Sequence, residues 1–130
     1  MKVTIENADL QGKIKAIPSK SYAHRMLICA ALSDSPCMIE CSETSADITA
    51  TAGCMSGLCA DIVRTESGYH VNPGKAHEKA AVDCGESGST FRFILPVACA
   101  LGTETDFSLH GRLPERPMDV LYRALEANGI

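Results

Sequence analysis

Cationic side chains stand at the starts of predicted helices in three separate segments of this sequence. The first segment follows Pro18 and holds Lys20, Ser21 and Arg25. Free backbone N–H groups and the helix dipole favour an anion at a helix N-terminus, so a phosphate or carboxylate would meet two charges and a hydroxyl here. The alternative is that a serine only caps the helix and both cations are solvated.

The second segment is a turn rich in glycine and serine, residues 85–89, which leads into an apolar helix. Gly88 allows close approach of a ligand to the backbone, and Arg92 is the only charge on the helix that follows. A buried arginine without a partner is costly, so we expect an anion to meet it. That anion is either a ligand or a carboxylate of the chain, with Glu86 and Asp83 as the candidates.

The third segment carries two arginines four residues apart, Arg112 and Arg116. Pro117 disfavours the helical conformation for Arg116 and so places its guanidinium group at the mouth of the next helix. Arginine suits bidentate contact with phosphate or carboxylate. The alternative is a surface loop in which Arg116 pairs with Glu115 or Asp119.

The composition makes this concentration of cations informative, because the 130-residue chain has a formal net charge of −4. That charge argues against nucleic-acid binding as a main function. The sequence holds neither an apolar run long enough for a membrane span nor the apolar block of a signal peptide, so we expect a cytoplasmic protein. Seven scattered cysteines predict small buried side chains in a reducing compartment, with a metal or redox role as the alternative. The three segments together predict a small polyanionic ligand.

The elements that must position these segments follow from the spacing of apolar residues. Alternation predicts strands at 3–6 and 13–17 around a turn at Gly12, and further strands at 37–41, 61–64, 69–71, 81–84 and 105–110. Helical spacing predicts helices at 19–32, 48–58 and 90–101, and one from Pro117 to a stop at Gly129. The third helix is apolar on every side, which predicts burial all round, and Pro96 predicts a kink in it. The alternation of strands and helices indicates an α/β fold.

The three cationic segments, in this order, resemble the signatures of the shikimate-pathway enolpyruvyl transferases. The matching stretches are Pro18 to Arg25, Asp83 to Arg92 and Arg112 to Met118, with a weaker likeness at Thr44 to Ile48. The resemblance covers essentially the whole chain. It implies βαβαββ units of an inside-out, barrel-like α/β domain that is incomplete here. Residues 1–17 would be strands that belong to the family's other domain, and residues 18–130 would form part of a substrate-binding domain truncated at its C-terminus.

The resemblance also implies a reaction, the transfer of the enolpyruvyl group from phosphoenolpyruvate to the 5-hydroxyl of shikimate 3-phosphate with release of phosphate. No cofactor and no metal are expected. Matched positions implied to bind shikimate 3-phosphate are Lys20, Ser21 and Arg25, and those implied to bind phosphoenolpyruvate are Lys20, Gly88, Arg92 and Arg116. Arg112 is a weaker candidate. Glu86 stands where many members have asparagine, and we expect it to pair with Arg92 or another cation.

The acid and base groups of the family lie in a C-terminal part that is expected to be missing here. We therefore expect no catalytic residue in this chain, no turnover by it alone, and that missing part as its partner, with neither nucleic acid nor membrane. Two further functions stay open. The sister enzyme that acts on UDP-N-acetylglucosamine has a Lys-Asn pair where this sequence has Lys20 and Ser21, and a non-catalytic anion-binding module also fits the cations.

Overall fold

The computed structural model describes residues 2–4, 9 and 11–130. In this part of the chain the elements are α1 (Lys20–Ala31), β1 (Cys37–Glu40), α2 (Ala46–Leu58), β2 (Ala60–Arg64), β3 (Gly68–Pro73), β4 (Lys79–Asp83), α3 (Gly88–Leu101), β5 (Glu104–Ser108), a short 3-10 helix (Leu113–Glu115) and α4 (Asp119–Glu126). The predicted α/β class is confirmed.

Strands β1, β2 and β3 form one sheet in which β3 lies in the middle. It is antiparallel to both neighbours, with Val71 opposite Cys37 on one side and opposite Ile62 on the other. Strands β1 and β2 are therefore parallel to each other, although they never touch. Helices α1 and α2 pack together beside this sheet, where Leu27 and Met55 are completely buried.

Strands β4 and β5 form a second, parallel pair joined through α3. A parallel pair needs such a crossover, and α3 supplies it. Phe91 on α3 packs edge-on against Phe107 on β5 at 5.4 Å between ring centroids. Helix α2 is the central element, since it contacts α1, α3, β2 and β4. The start of α3 is thereby brought next to the start of α2.

Three helices begin in the same way, with a serine whose hydroxyl oxygen accepts a hydrogen bond from the backbone N–H three residues on. Ser19 accepts from Tyr22 at the start of α1. Ser45 does the same for α2, and Ser87 does so for α3. Such caps fix where a helix starts. They therefore fix the positions of the residues in the first turn.

The predicted N-terminal strand pair is not formed in the described residues. Residues 13–17 belong to no strand, and Ile14 and Ile17 are 95% and 83% exposed. Residues 2–4 are also exposed and outside any strand, while positions 5 and 6 of the predicted first strand lie outside the described residues. Alternating apolar residues form a strand only where a neighbouring strand pairs with their backbone and a core buries their side chains.

The prediction that the third helix is buried on every side is wrong for this chain. On α3, Thr90, Phe91, Ile94 and Ala98 are buried in the protein interior, whereas Arg92 is exposed. The elements that make the main contacts with α3 are α1, α2 and β5, and they leave part of its surface exposed. The helix runs without interruption through Pro96.

Candidate functional site

The start of α1 is joined to the start of α2 by an ion pair. Lys20 Nζ lies 2.7 Å from Asp47 Oδ2. The hydrogen bond from Lys20 is the largest cause that lowers the pKa of the Asp47 carboxyl below its usual range, and the Ser87 hydroxyl contributes a smaller effect in the same direction. Asp47 therefore stays ionised and holds one of the three N–H donors of Lys20, which leaves two for a ligand.

Arg25 lies one turn after Ser21 on the same exposed face of α1. Its Nη1 donates to the backbone carbonyl of Ser21 at 2.7 Å. Its guanidinium carbon lies 4.8 Å from the ring centroid of Phe93 on α3, which is a cation–π contact. No carboxylate of the described residues pairs with Arg25. Its charge is thus held between α1 and α3 without being neutralised.

Gly88 is the point at which two of the predicted site arginines meet. A Cβ atom on Gly88 would lie 2.9 Å from Nη1 of Arg92 and 2.9 Å from Nη1 of Arg116. Arg92 also faces the carbonyl oxygens of Gly88 and Pro117 at 3.4 and 3.5 Å. The absence of a side chain at position 88 is what allows both guanidinium groups to approach this backbone.

Neither of these arginines forms an ion pair within the part of the chain that the structure describes. The alternatives raised from the sequence, in which a nearby carboxylate takes up Arg92 or Arg116, are therefore not realised there. Arg116 has φ −75° and ψ 138°, the extended conformation that Pro117 was expected to impose. Arg112 differs, since its Nε lies 3.8 Å from Glu115 Oε2 and its side chain is 90% exposed.

Backbone donors at the start of α3 point to the same place. The N–H groups of Thr90 and Phe91 are taken by the hydroxyl and the carbonyl of Ser87. Those of Gly88 and Ser89 have no acceptor among the described residues. Two free N–H groups beside two unpaired guanidinium groups form a site suited to phosphate or carboxylate.

The expected pairing of Glu86 with a cation is wrong among the described residues. Its carboxylate packs against Gly111 instead, where a Cβ atom would lie 2.6 and 2.7 Å from the two carboxylate oxygens. Gly111 also has φ +55°, which other residues rarely adopt. Glu86 thus faces the loop that carries Arg116 and does not reach Arg92.

A second contact joins the same two loops. Asp83 accepts from the backbone N–H of Gly85 at 2.7 Å and lies 3.0 Å from Nε2 of His110. The Gly85 N–H is the main cause that lowers the pKa of the Asp83 carboxyl. The backbone N–H of His110 in turn donates to the Gly85 carbonyl at 2.8 Å. These bonds fix the loop before α3 against the loop that leads to Arg116.

The structure brings all six residues of the predicted substrate sites into two adjoining groups. Lys20, Ser21 and Arg25 share the start of α1, while Arg92 and Arg116 flank Gly88 at the start of α3. The two groups are connected because Thr90 Oγ1 lies 3.2 Å from the carbonyl oxygen of Asp47. Arg112 is not brought into either group.

Sequence reasoning missed the buried polar residues behind these groups. His24 is completely buried, and desolvation is the main cause that lowers its pKa. Its Nδ1 lies 2.6 Å from Thr51 Oγ1. The signal available in the sequence was that His24 stands between Ala23 and Leu27, both of which belong to the buried face of α1.

The cysteines form no metal or redox centre in the described part of the chain. All seven are free, and no group of three or more potential metal ligands occurs among the described residues. The shortest contact between them is 3.9 Å, from Cys54 Sγ to Cys84 Sγ, and both thiols are completely buried. No helix in the described residues is both long enough and apolar enough to cross a membrane.

Comparison with known proteins gives one consistent result. The family model described as EPSP synthase (3-phosphoshikimate 1-carboxyvinyltransferase) matches residues 5–130. A 3-phosphoshikimate 1-carboxyvinyltransferase of Clostridium beijerinckii is 38% identical over 93% of this chain, and one of Clostridium perfringens is 36% identical over 99%. The chain spans only 30% and 31% of the lengths of these two relatives.

A solved structure supports the same fold. The EPSP synthase of Acinetobacter baumannii superposes with a TM-score of 0.71 at 21% sequence identity. The superposition covers 89% of this chain and 27% of that chain.

Proposed function

Because this chain belongs to the EPSP synthase family, we propose that it supplies part of a site for transfer of the enolpyruvyl group from phosphoenolpyruvate to the 5-hydroxyl of shikimate 3-phosphate. Phosphate is the other product. In this proposal, residues 1–17 belong to a second domain and residues 18–130 form part of the substrate-binding domain. The exposure of Ile14 and Ile17 supports that division, since both lack a core in this chain.

The observation that carries the proposal is the set of unneutralised cations at two adjoining helix starts. Arg25, Arg92 and Arg116 have no carboxylate partner among the described residues, although the chain carries more acidic than basic groups. Both proposed substrates bear a phosphate and a carboxylate. All three arginines are exposed, so their guanidinium groups are accessible to the phosphate and carboxylate oxygens of such a ligand.

The two groups of cations are assigned to the two substrates. Ser21 and Arg25, at the start of α1, are assigned to shikimate 3-phosphate. Gly88, Arg92 and Arg116 are assigned to phosphoenolpyruvate. Lys20 serves both, since its position beside Asp47 and the start of α3 leaves two N–H donors between the groups. Arg112 is paired with Glu115 and is assigned no contact.

The chemistry proposed for these residues is electrostatic and geometric. Preorganised guanidinium groups and N–H donors hold the two anions side by side and stabilise the negative charge that develops on the departing phosphate. We place the groups that transfer protons outside this chain, in the remaining length of the relatives. The proposed location is the cytoplasm, and the seven free cysteines support it.

Titration of the isotopically labelled chain with each substrate tests the assignment. Shikimate 3-phosphate is expected to shift the NMR signals of residues 19–25, and phosphoenolpyruvate those of Gly88 and Arg116. Arg64 is an internal control, because its guanidinium group already donates to three backbone carbonyls at 2.7, 2.8 and 2.9 Å. Shifts centred on Arg64, or spread evenly over the chain, would contradict the proposed site.

A turnover assay separates this proposal from a complete enzyme. The chain alone, mixed with both substrates, is expected to release no phosphate. Steady phosphate release by the purified chain would show that it carries its own acid and base groups, and the assignment of those groups to the remainder of the relatives would then be wrong.

A further inference from the structure

A continuous set of buried hydrogen bonds joins α1, α2 and α3 behind the candidate site. We call it the polar clasp, and its members are His24, Thr51, Thr90 and Ser87. The distances are 2.6 Å from His24 Nδ1 to Thr51 Oγ1, 2.8 Å from Thr51 Oγ1 to Thr90 Oγ1, and 2.8 Å from Thr90 Oγ1 to Ser87 Oγ. All four residues are at most 2% exposed.

The supply of donors and acceptors gives the clasp a direction. The hydroxyl proton of Thr90 lies between two acceptors, Ser87 Oγ and the backbone carbonyl of Asp47 at 3.2 Å. With that proton in use, the Thr90 oxygen accepts from Thr51. Thr51 has then spent its single proton, so it must accept from His24, whose Nδ1 therefore carries hydrogen.

The opposite direction is more costly. His24 Nε2 is buried and has no partner among the described residues. If Thr51 donated to Nδ1, the hydrogen of neutral His24 would sit on Nε2 as a buried donor without an acceptor. A bare nitrogen lone pair at that position is the smaller penalty, because orphaned donors are rarer in folded proteins than under-used acceptors.

The clasp and the ion pair at the site each supply a contact between α1 and α2. Lys20 on α1 meets Asp47 on α2, and one turn further along both helices His24 meets Thr51. Both contacts join residues that lie 27 positions apart in the sequence. An exposed ion pair contributes little to stability, so the Lys20–Asp47 pair cannot set the register of two helices by itself. The buried hydrogen bond between His24 and Thr51 can set that register.

We propose that His24 is a positioning residue, a neutral Nδ1–H donor that closes the clasp and thereby sets the register at which Lys20 meets Asp47. The importance of that register for ligand binding rests on the proposed function, whereas the direction of the clasp does not. Desolvation is the largest cause that lowers the pKa of His24; the charges of Lys20 and Arg25 act in the same direction, and the charge of Asp47 opposes them.

The tautomer of His24 is the first test. Long-range proton–nitrogen NMR spectra of the histidine-labelled wild-type chain are expected to show hydrogen on Nδ1 and none on Nε2 at neutral pH. A protonated Nε2, either as the other tautomer or as imidazolium, would overturn the proposal. The test needs no ligand and no variant, so its result is independent of the proposed function.

A matched pair of substitutions tests the positioning role. Thr51→Val removes the hydroxyl at nearly constant shape, and Thr51→Ser keeps it. NMR titration of the Asp47 carboxyl is expected to give the wild-type pKa in Thr51→Ser and a pKa shifted upward in Thr51→Val, because the bond from Lys20 is then less populated. Native amide spectra establish that each variant is folded.

If the pKa of Asp47 is the same in the folded wild type, Thr51→Val and Thr51→Ser, the clasp contributes only to packing. The positioning role would then be overturned. Thr90→Val and Thr90→Ser repeat the comparison at another link. If no valine variant folds, the tautomer in the wild-type chain still decides the direction on which the proposal depends. No arm of the experiment uses a substrate, so a failure of the proposed function cannot be mistaken for a failure of the clasp.

Discussion

At the scale of single residues, the arginines of this chain differ in what their guanidinium groups contact. Arg64 donates to three backbone carbonyls and lies 4.8 Å from the ring centroid of Tyr69. Its donors are used within the fold. Arg92 and Arg116 converge on Gly88 with no carboxylate partner among the described residues. Arg92 makes only two long contacts with backbone carbonyls, at 3.4 and 3.5 Å, so donors of both arginines stay available to a ligand.

Arg116→Ala is expected to weaken the response of Gly88 to phosphoenolpyruvate, so that higher concentrations are needed for the same shift. The variant loses a charge-assisted hydrogen bond, which contributes about 1.5–3 kcal/mol, and the affinity should fall by about 10-fold or more. Arg116→Lys is expected to recover little, because lysine lacks the bidentate geometry of a guanidinium group. The measurement is an NMR titration of each variant with phosphoenolpyruvate.

Arg112→Ala is the matched control, since Arg112 lies in the same loop but is paired with Glu115 and 90% exposed. It is expected to leave the titration of Gly88 unchanged. Equal losses in the Arg112 and Arg116 variants would mean that only the general positive charge of the loop matters, and the specific assignment of Arg116 would be wrong.

At the scale of elements, the spacing of apolar residues predicted most of the helices and strands that the structure shows. Helices at 19–32, 48–58 and 90–101 were expected, and α1, α2 and α3 lie there. The predicted strands at 61–64 and 69–71 are confirmed as β2 and β3, which pair with each other. Strand β3 ends at Pro73, two residues after its predicted end, because its last residues pair with β2. Strand β4 begins at Lys79, two residues before its predicted start, because its first residues pair with β5.

The failures have a common physical cause, which is that long-range pairing is not encoded in periodicity. The alternation at 13–17 is real, but it forms a strand only with a neighbour, and none is present among the described residues. The pairings Lys20–Asp47 and His24–Thr51 depend on how α1 packs on α2, so neither could be read from the first segment alone. The positions of the site cations were predictable because helix starts are local features.

Two glycines in α2 give a test of helix packing that is independent of the site. Gly53 is exposed, and a Cβ atom there meets nothing within 4 Å. Gly53→Ala is therefore expected to stabilise the chain by about 0.5–1 kcal/mol, because alanine loses less backbone entropy in a helix. Denaturant unfolding followed by circular dichroism measures the change.

Gly57→Ala serves as the matched comparison in the same helix. Its Cβ atom would lie 3.0 Å from Cγ1 of Val82 on β4, closer than ordinary packing allows. We expect a smaller gain than at Gly53, or a loss. Equal stabilisation by the two alanines would show that α2 and β4 are not packed as closely as described.

At the scale of the whole molecule, the buried histidine makes stability depend on pH. The folded chain lowers the pKa of His24 below its ordinary value of 6.5, mainly by desolvation. Between the folded pKa and 6.5 the unfolded chain binds more protons, so stability rises with pH in that window and is fully present above it. The lowered pKa of Asp47 acts in a separate window below its ordinary value of 3.8, where stability is lost as the carboxyl protonates.

His24→Asn is expected to flatten the change in unfolding free energy between about pH 7.5 and about pH 5. Asparagine keeps an N–H donor near the position of Nδ1 but does not titrate. For each protein, the quantity compared is the difference between the unfolding free energies at the two pH values. A void left by the smaller side chain lowers both free energies alike and so leaves this difference unchanged. An unchanged slope in the variant would assign the pH dependence to other groups.

The place of β3 between two strands that precede it constrains the order in which the chain can assemble. Strands β1 and β2 are synthesised first, yet each forms its sheet hydrogen bonds with β3. The pairing of Arg64 with Tyr69 closes a short loop, whereas the pairing of Cys37 with Val71 must close a loop that contains all of α2. Loop-closure entropy therefore favours the hairpin first and β1 last. On a ribosome, β1 must wait with its edge unpaired until the hairpin has emerged, so this sheet cannot be built strand by strand from its N-terminal side.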